Sequence, residues 1–178
     1  MGVAGFITIT FIILFGALFI HITNKINKME INTRDRGAEI DSSLWDRTFR
    51  LSRICSLLNA KGIENELECP DVNALGLGVS APIQAANAEK LDKQDILLRS
   101  IIKEHPELTS DEAFSTELEK FNNARNEMFR YSLSYNKSVN AYNSYISSFP
   151  ASVIVIFNKK NDKQIFGYVF TELDSKVE

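Results

Sequence analysis

The sequence predicts an all-α membrane protein: a single N-terminal transmembrane helix continuing into an elongated antiparallel bundle of three to four helices, then a short C-terminal tail. Three observations predict it. The first 24 residues carry no charged side chain, and all 20 Lys and Arg and all 23 Asp and Glu lie from Lys25 onward. Beyond that point apolar residues recur at gaps of three and four, the period of a helix face. The four prolines, Pro70, Pro82, Pro106 and Pro150, punctuate those runs. The expected division is an anchor over residues 1–24, a bundle over 25–150, and a tail or short hairpin over 151–178.

Gly2 to Ile22 reads GVAGFITITFIILFGALFIHI, with Thr8, Thr10 and His21 as its only polar groups. At 1.5 Å per residue it reaches roughly 30 Å, the hydrocarbon thickness of a bilayer. The threonines can bond back to carbonyls one turn earlier, and His21 falls at the interfacial end. A cleaved signal peptide needs a basic residue before the apolar core and a small-x-small site after it, and neither is present. Phe6 stands where a myristoylation site needs Ser or Thr. Gly2, Gly5 and Gly16 make no GxxxG pair, so the anchor carries no such dimerisation signal. Lys25, Lys28, Arg34 and Arg36 follow the span and no basic residue precedes it. The positive-inside rule then sets the N-terminus outside and the bundle in the cytoplasm.

Ile22, Ile26, Met29, Ile40, Leu44, Leu51, Cys55 and Leu58 form one stripe, so the anchor is expected to run on as a single helix to about residue 61, with a loosening near Gly37. Gly62 after Lys61 reads as its stop. Residues 62–81 read as a loop, packed through Leu75 and Leu77; its LGLG lacks the spacing of a phosphate-binding loop. A second helix is expected from about Pro82 to Lys103, with Ala85, Ala88, Leu91, Ile96, Leu98 and Ile101 facing a core. The third starts at Asp111 and Glu112 and carries Phe114, Leu118, Phe121, Ala124, Met128, Tyr131, Tyr135, Val139, Tyr142, Ile146 and Phe149 on one face, up to Pro150. SVIVIF and QIFGYVF, around NKKND, have the composition of a β-hairpin, with an extended tail as the alternative.

A net charge of −3 disfavours binding to nucleic acid, because few phosphates would be neutralised. Two cysteines and two histidines exclude a disulfide scaffold and a four-thiolate metal site. Cys55 lies on the apolar stripe and reads as a buried thiol; a Cys55–Cys69 bond is expected only in an oxidising compartment. His105 before Pro106 reads as a turn residue with no partner base or nucleophile. Glu64, Glu66, Glu68 and Asp71 read as a solvated loop rather than a calcium site. Asn136-Lys137-Ser138 matches a glycosylation sequon within a helix, which is read as chance. Lys25, Lys28, Arg34 and Arg36 are placed to meet anionic headgroups. No metal or cofactor is expected.

Tyr135-Asn136 and Tyr142-Asn143 lie seven residues apart, hence on one helix face. They offer either a binding ladder or core aromatics with amides that fix helix register; the second is the expected role. The stretch YNKSVNAYNSYISSFP, from Tyr135 to Phe149-Pro150, resembles the YNxxVxxYNxxIxxFP signature of the LemA family of bacterial membrane-anchored proteins. Phe114, Asn126, the HPEL of Pro106 and Leu108, and Ile40, Asp41 and Leu44 are similar to further elements of that family, over roughly residues 20–157. The chain departs from it at TFRLSRIC, which lacks a Pro and an Asn, and at Arg125 and Glu127, so it reads as a divergent member. The resemblance implies an N-terminal membrane helix in the bacterial inner membrane, a helical bundle and no established enzymatic activity, and supplies no catalytic residue. The expected role is structural: a membrane-anchored surface for an unidentified protein or a second copy, with lipid contacted by the N-terminal helix. A regulatory or sensory module of an envelope or stress pathway is the alternative, with the loop at 62–81 as its switch.

Overall fold

The computed structural model describes residues 2–70 and 78–169. Four α-helices and no strand are present among them: α1 (Val3–Ala60), α2 (Ala81–Glu104), α3 (Glu112–Ser147) and α4 (Ala151–Asn158), with a 3-10 helix at Pro106–Ser110. Leu75, Leu77, Asp71 and the last nine residues lie outside the described residues.

The apolar N-terminal run and the first bundle helix are one uninterrupted α1. Over most of the predicted span its large side chains are exposed, Phe6, Phe11 and Phe15 each by 70% or more, while Ile22 at its end is buried. That pattern suits a helix long and apolar enough to cross a membrane. No loosening occurs at Gly37. The ring of Tyr135 lies beside it, with Cε2 3.5 Å from where a Cβ would stand, which is ordinary van der Waals contact. α1 stops where expected. Gly62 takes a left-handed φ of 69°, which a glycine adopts without steric cost. Its N–H bonds to Asn59 O at 3.0 Å, and the Ile63 N–H reaches back to Leu58 O at 3.1 Å, the paired bonds of a Schellman stop.

Pro82 sits in the first turn of α2, where a missing N–H costs nothing. α3 starts under an Asp111 cap, whose Oδ1 accepts the Phe114 N–H at 2.9 Å. The expected β-hairpin after Pro150 is not formed. SVIVIF lies in α4, and residues 160–169 have no regular structure. In α4 the buried residues Ala151 and Ile154 lie three apart, so one helical turn puts both inward. A strand would have faced Ser152 inward beside Ile154. β-propensity is a preference for half-buried pleated surroundings, and packing overrides it here. α4 ends as Lys159 turns into the left-handed region at φ 49°.

The chain divides into two compact units. One comprises Met1–Asp35 with Asn136–Lys163, the other Arg36–Tyr135 with Gln164–Glu178. In the first, α4 and the end of α3 pack on α1: Ile22, Ile26, Tyr142, Ile146, Ala151 and Ile154 are buried together, flanked by Phe19, Met29, Tyr145 and Val155. In the second, Ile40, Leu44, Leu51, Ile54 and Leu58 of α1, Ala88, Leu91 and Leu98 of α2, and Phe114, Phe121 and Met128 of α3 are buried, joined by Phe166. Burying each large side chain contributes about 1.5–3 kcal/mol. The inward face of α2 differs from the expected one. Ile96 is 52% exposed, and Gln84, Asp92 and Asp95 are buried.

Candidate functional site

Two members of the Tyr-Asn signature, Tyr135 and Asn143, bond the chain's own backbone. In the first unit the Asn143 side chain closes a two-bond ring with Lys163: Nδ2 donates to Lys163 O and the Lys163 N–H donates to Oδ1, both at 2.9 Å. Two amides in this register satisfy each other as a pair of backbone groups would. Lys160 and Lys163 both pair with Glu30 of α1. Tyr142 is fully buried, and its hydroxyl has no hydrogen-bond partner among the described residues. Burial, reinforced by the charges of Glu30 and Asp162, raises its pKa. The ring therefore works as an apolar body in the core. Asn136 is half-buried, Phe149 is 84% exposed, and Pro150 precedes α4 as its cap residue. Phe149 thus departs from the expected buried stripe, because α3 already ends at Ser147.

In the second unit Tyr135 is buried, and its hydroxyl donates to Gln164 O at 2.9 Å. Asp41 lies on α1 opposite the start of α2. Gln84 Nε2 donates to Asp41 Oδ1 at 2.7 Å and to Gly37 O at 3.0 Å, while the Gly78 N–H donates to Asp41 Oδ2 at 2.9 Å.

The largest polar group was not singled out in the sequence. Arg47 is fully buried on α1, with Nη1 at 2.5 Å from Asp92 and Nη2 at 3.4 Å from Asp95, both on α2. Arg125 of α3 lies 3.3 Å from Asp92, Arg99 lies 3.1 Å from Asp95, and the Tyr168 hydroxyl donates to Asp92. The Arg47 guanidinium also sits 4.7 Å above the Phe121 ring. Burial raises the Asp92 carboxyl, but Arg47, Tyr168 and Arg125 together pull it below its ordinary range. Tyr168 is pushed up to about 12 by burial and by the Asp92 carboxylate, so it stays a proton donor. Three cations and two carboxylates from three helices thus interlock, with Arg47, Asp92 and Asp95 buried and Arg99 reaching the surface. Such a cluster fixes helix register rather than adding much net stability. One signal was legible: Ile40, Arg47 and Ile54 are spaced by seven, so Arg47 stands at an inward heptad position.

The remaining candidates lie apart from these groups. Cys55 is buried but is not a lone thiol: it is bonded to Cys69, with Cα atoms 5.9 Å apart. The chain after Gly62 lies back against the end of α1, which brings the sulfurs together. His105 caps α2 and contacts Glu107 at 3.1 Å on the surface. Glu64 and Glu66 line a pocket of about 350 Å³ with Glu104, Leu97 and Ser100. Among the described residues no group of three or more His, Cys, Asp or Glu is arranged to hold a metal. Lys25 lies over the Tyr145 ring at 4.3 Å, and Arg36 pairs with Glu39.

A family model described as the LemA family matches residues 79–177. The match takes in HPEL and the whole Tyr-Asn signature, and begins beyond Ile40, Asp41 and Leu44. No curated protein and no solved structure matches the chain.

Proposed function

The chain belongs to the LemA family, and from that premise we propose that it is a structural, protein-interaction module held at a bacterial membrane. The observation that carries this reading is the continuity of α1. One helix runs without a break from an exposed apolar span into the buried core around Ile22 and Ile26, so the span and that core are parts of one element. The Tyr-Asn signature supports the same role, because Tyr135 and Asn143 hold the chain's own backbone in place. No catalytic step is proposed. The partner is another protein or a second copy, and nucleic acid is not proposed. Crosslinking in native membranes followed by purification tests this: recovery of a stable partner or of a dimer is expected, and recovery of neither overturns it.

For orientation, the basic residues after the span support an N-terminus outside and a bundle in the cytoplasm. There Cys55 and Cys69 would rest as adjacent thiols. The Cys55–Cys69 bond favours a second reading, since disulfides persist in oxidising compartments. In that reading the bundle faces outward, and the bond makes the segment after α1 a redox-responsive element of an envelope pathway. Acid-quenched cells, alkylated with and without prior reduction, separate the two. Thiols free before reduction support the cytoplasmic bundle; thiols that appear only after reduction overturn it.

A further inference from the structure

We propose that α4 with Phe149 is a second membrane contact, lying in the lipid interface beside the point where α1 leaves the bilayer. This rests on the reading of residues 2–22 as the span. The sequence from Ser138 to Asn158 carries no charged side chain, although it lies wholly beyond the anchor. α4 has two apolar faces. Ala151 and Ile154 are buried in the core that contains Ile22, the last residue of the span, with Phe19 of the span packed against it. Asn158 Nδ2 donates to Thr23 Oγ1 at 3.4 Å, which sets the end of α4 beside the same turn of α1. The other face is bare. Phe149, Val153, Ile156 and Phe157 are exposed by 84, 46, 76 and 73%. Within α4 the spacing of three and one places Val153, Ile156 and Phe157 on one side, and Phe149 precedes its first turn.

Lipid is the occupant that the surroundings favour. The bare face belongs to the same compact unit as the exposed span, and the opposite face of α4 packs on the last turn of that span, so lipid that covers the span lies close to α4. Water would face a contiguous apolar patch of two phenylalanines, a valine and an isoleucine, which a soluble surface rarely tolerates. The exposed Lys25, Lys28 and Lys159 of this unit supply the cations that interfacial helices set at headgroup level. An apolar helix face of this kind sinks about 5–10 Å into the boundary between headgroups and acyl chains.

The test uses the full chain in phosphatidylcholine–phosphatidylglycerol vesicles, with Trp45→Phe as background so that each variant carries one tryptophan. Phe149→Trp and Phe157→Trp report the proposed face, and Phe15→Trp reports the span. Lipid brominated near the top of its acyl chains is expected to lower the emission of the first two by about twofold, with protection from aqueous acrylamide. Circular dichroism checks that each variant keeps its helices. Emission quenched by acrylamide and not by bromolipid would mean that the face is in water, and overturns the proposal. Protection from both quenchers would mean that a protein surface covers it, which also overturns it. If Phe15→Trp itself escapes bromolipid, the anchor reading fails as well, and the two failures are thereby told apart.

Discussion

Replacing Arg47 with methionine removes the cation at the centre of the second unit while keeping most of the side-chain volume. Arg47 is fully buried and holds Asp92 at 2.5 Å and Asp95 at 3.4 Å. Its loss leaves two buried carboxylates, 6% and 0% exposed, each one cation short. Breaking a buried ion pair from one side costs about 3–5 kcal/mol, because the remaining charge is stranded. Here neither carboxylate is wholly stranded. Asp92 keeps Arg125 and the Tyr168 hydroxyl, and Asp95 keeps Arg99. The expected loss is therefore at the low end, about 3 kcal/mol, including the contact with the Phe121 ring. A domain of ordinary stability has only about 5–15 kcal/mol in total. Trp45, stacked on Phe49 two residues from Arg47, gives a local fluorescence signal for urea unfolding of the full chain in micelles. Arg47→Met/Asp92→Asn/Asp95→Asn removes the stranded charges and should regain most of the loss. A loss below about 1 kcal/mol in the single variant would refute the reasoning. So would a triple variant no more stable than the single one.

Four further outcomes follow from the contacts described above. The Asp92 carboxyl is held below its ordinary 3.8, so its contribution is complete above that value and is lost as pH falls through the folded pKa. Acid titration of stability should therefore show an acid limb that Asp92→Asn flattens, and a limb of unchanged size would count against the cluster. Tyr168 is raised to about 12, so its share is held below about 10 and lost as pH rises toward 12; Tyr168→Phe should remove that alkaline loss. Asn143→Ala deletes both bonds to Lys163 and should cost about 2 kcal/mol, with faster hydrogen exchange at the Lys163 amide; unchanged exchange would show that the ring is not formed. Reducing the Cys55–Cys69 bond, which spans 14 residues of sequence, should lower the stability of the oxidised protein by about 3 kcal/mol. Identical urea midpoints with and without reductant would rule that out.

The all-α class, the span, the run of α1 to Ala60, the stop at Gly62 and the start of α3 at Asp111 were legible because each rests on local physics. Charge-free length, helical period, a residue that tolerates positive φ and a capping carboxylate act within a few residues. The buried stripe of α3 was legible for the same reason, from Phe114 to Ile146. The candidate groups were only half legible. Tyr135 and Asn143 stood out in the signature, but their acceptors, Gln164 O and Lys163 O, come from a segment read as part of a hairpin. Arg47, Asp92 and Asp95 were passed over because a charged residue at an inward position is unfavourable alone. It becomes stable only when partners arrive from two other helices.

By itself, then, the sequence determined the course of α1 and α2, the start of α3 and which stretch is apolar enough for a bilayer, because those properties belong to contiguous residues. Tertiary structure decided three things. SVIVIF became a helix because Ala151 and Ile154 find Ile22 and Ile26 at helical spacing. Cys55 became half of a bond because the chain after Gly62 brings Cys69 back to α1. The charges of Arg47, Asp92 and Asp95 became buried because they compensate one another. Each depends on residues far apart in the chain, whose pairing has no local signature and whose free energy exists only once both partners are in place.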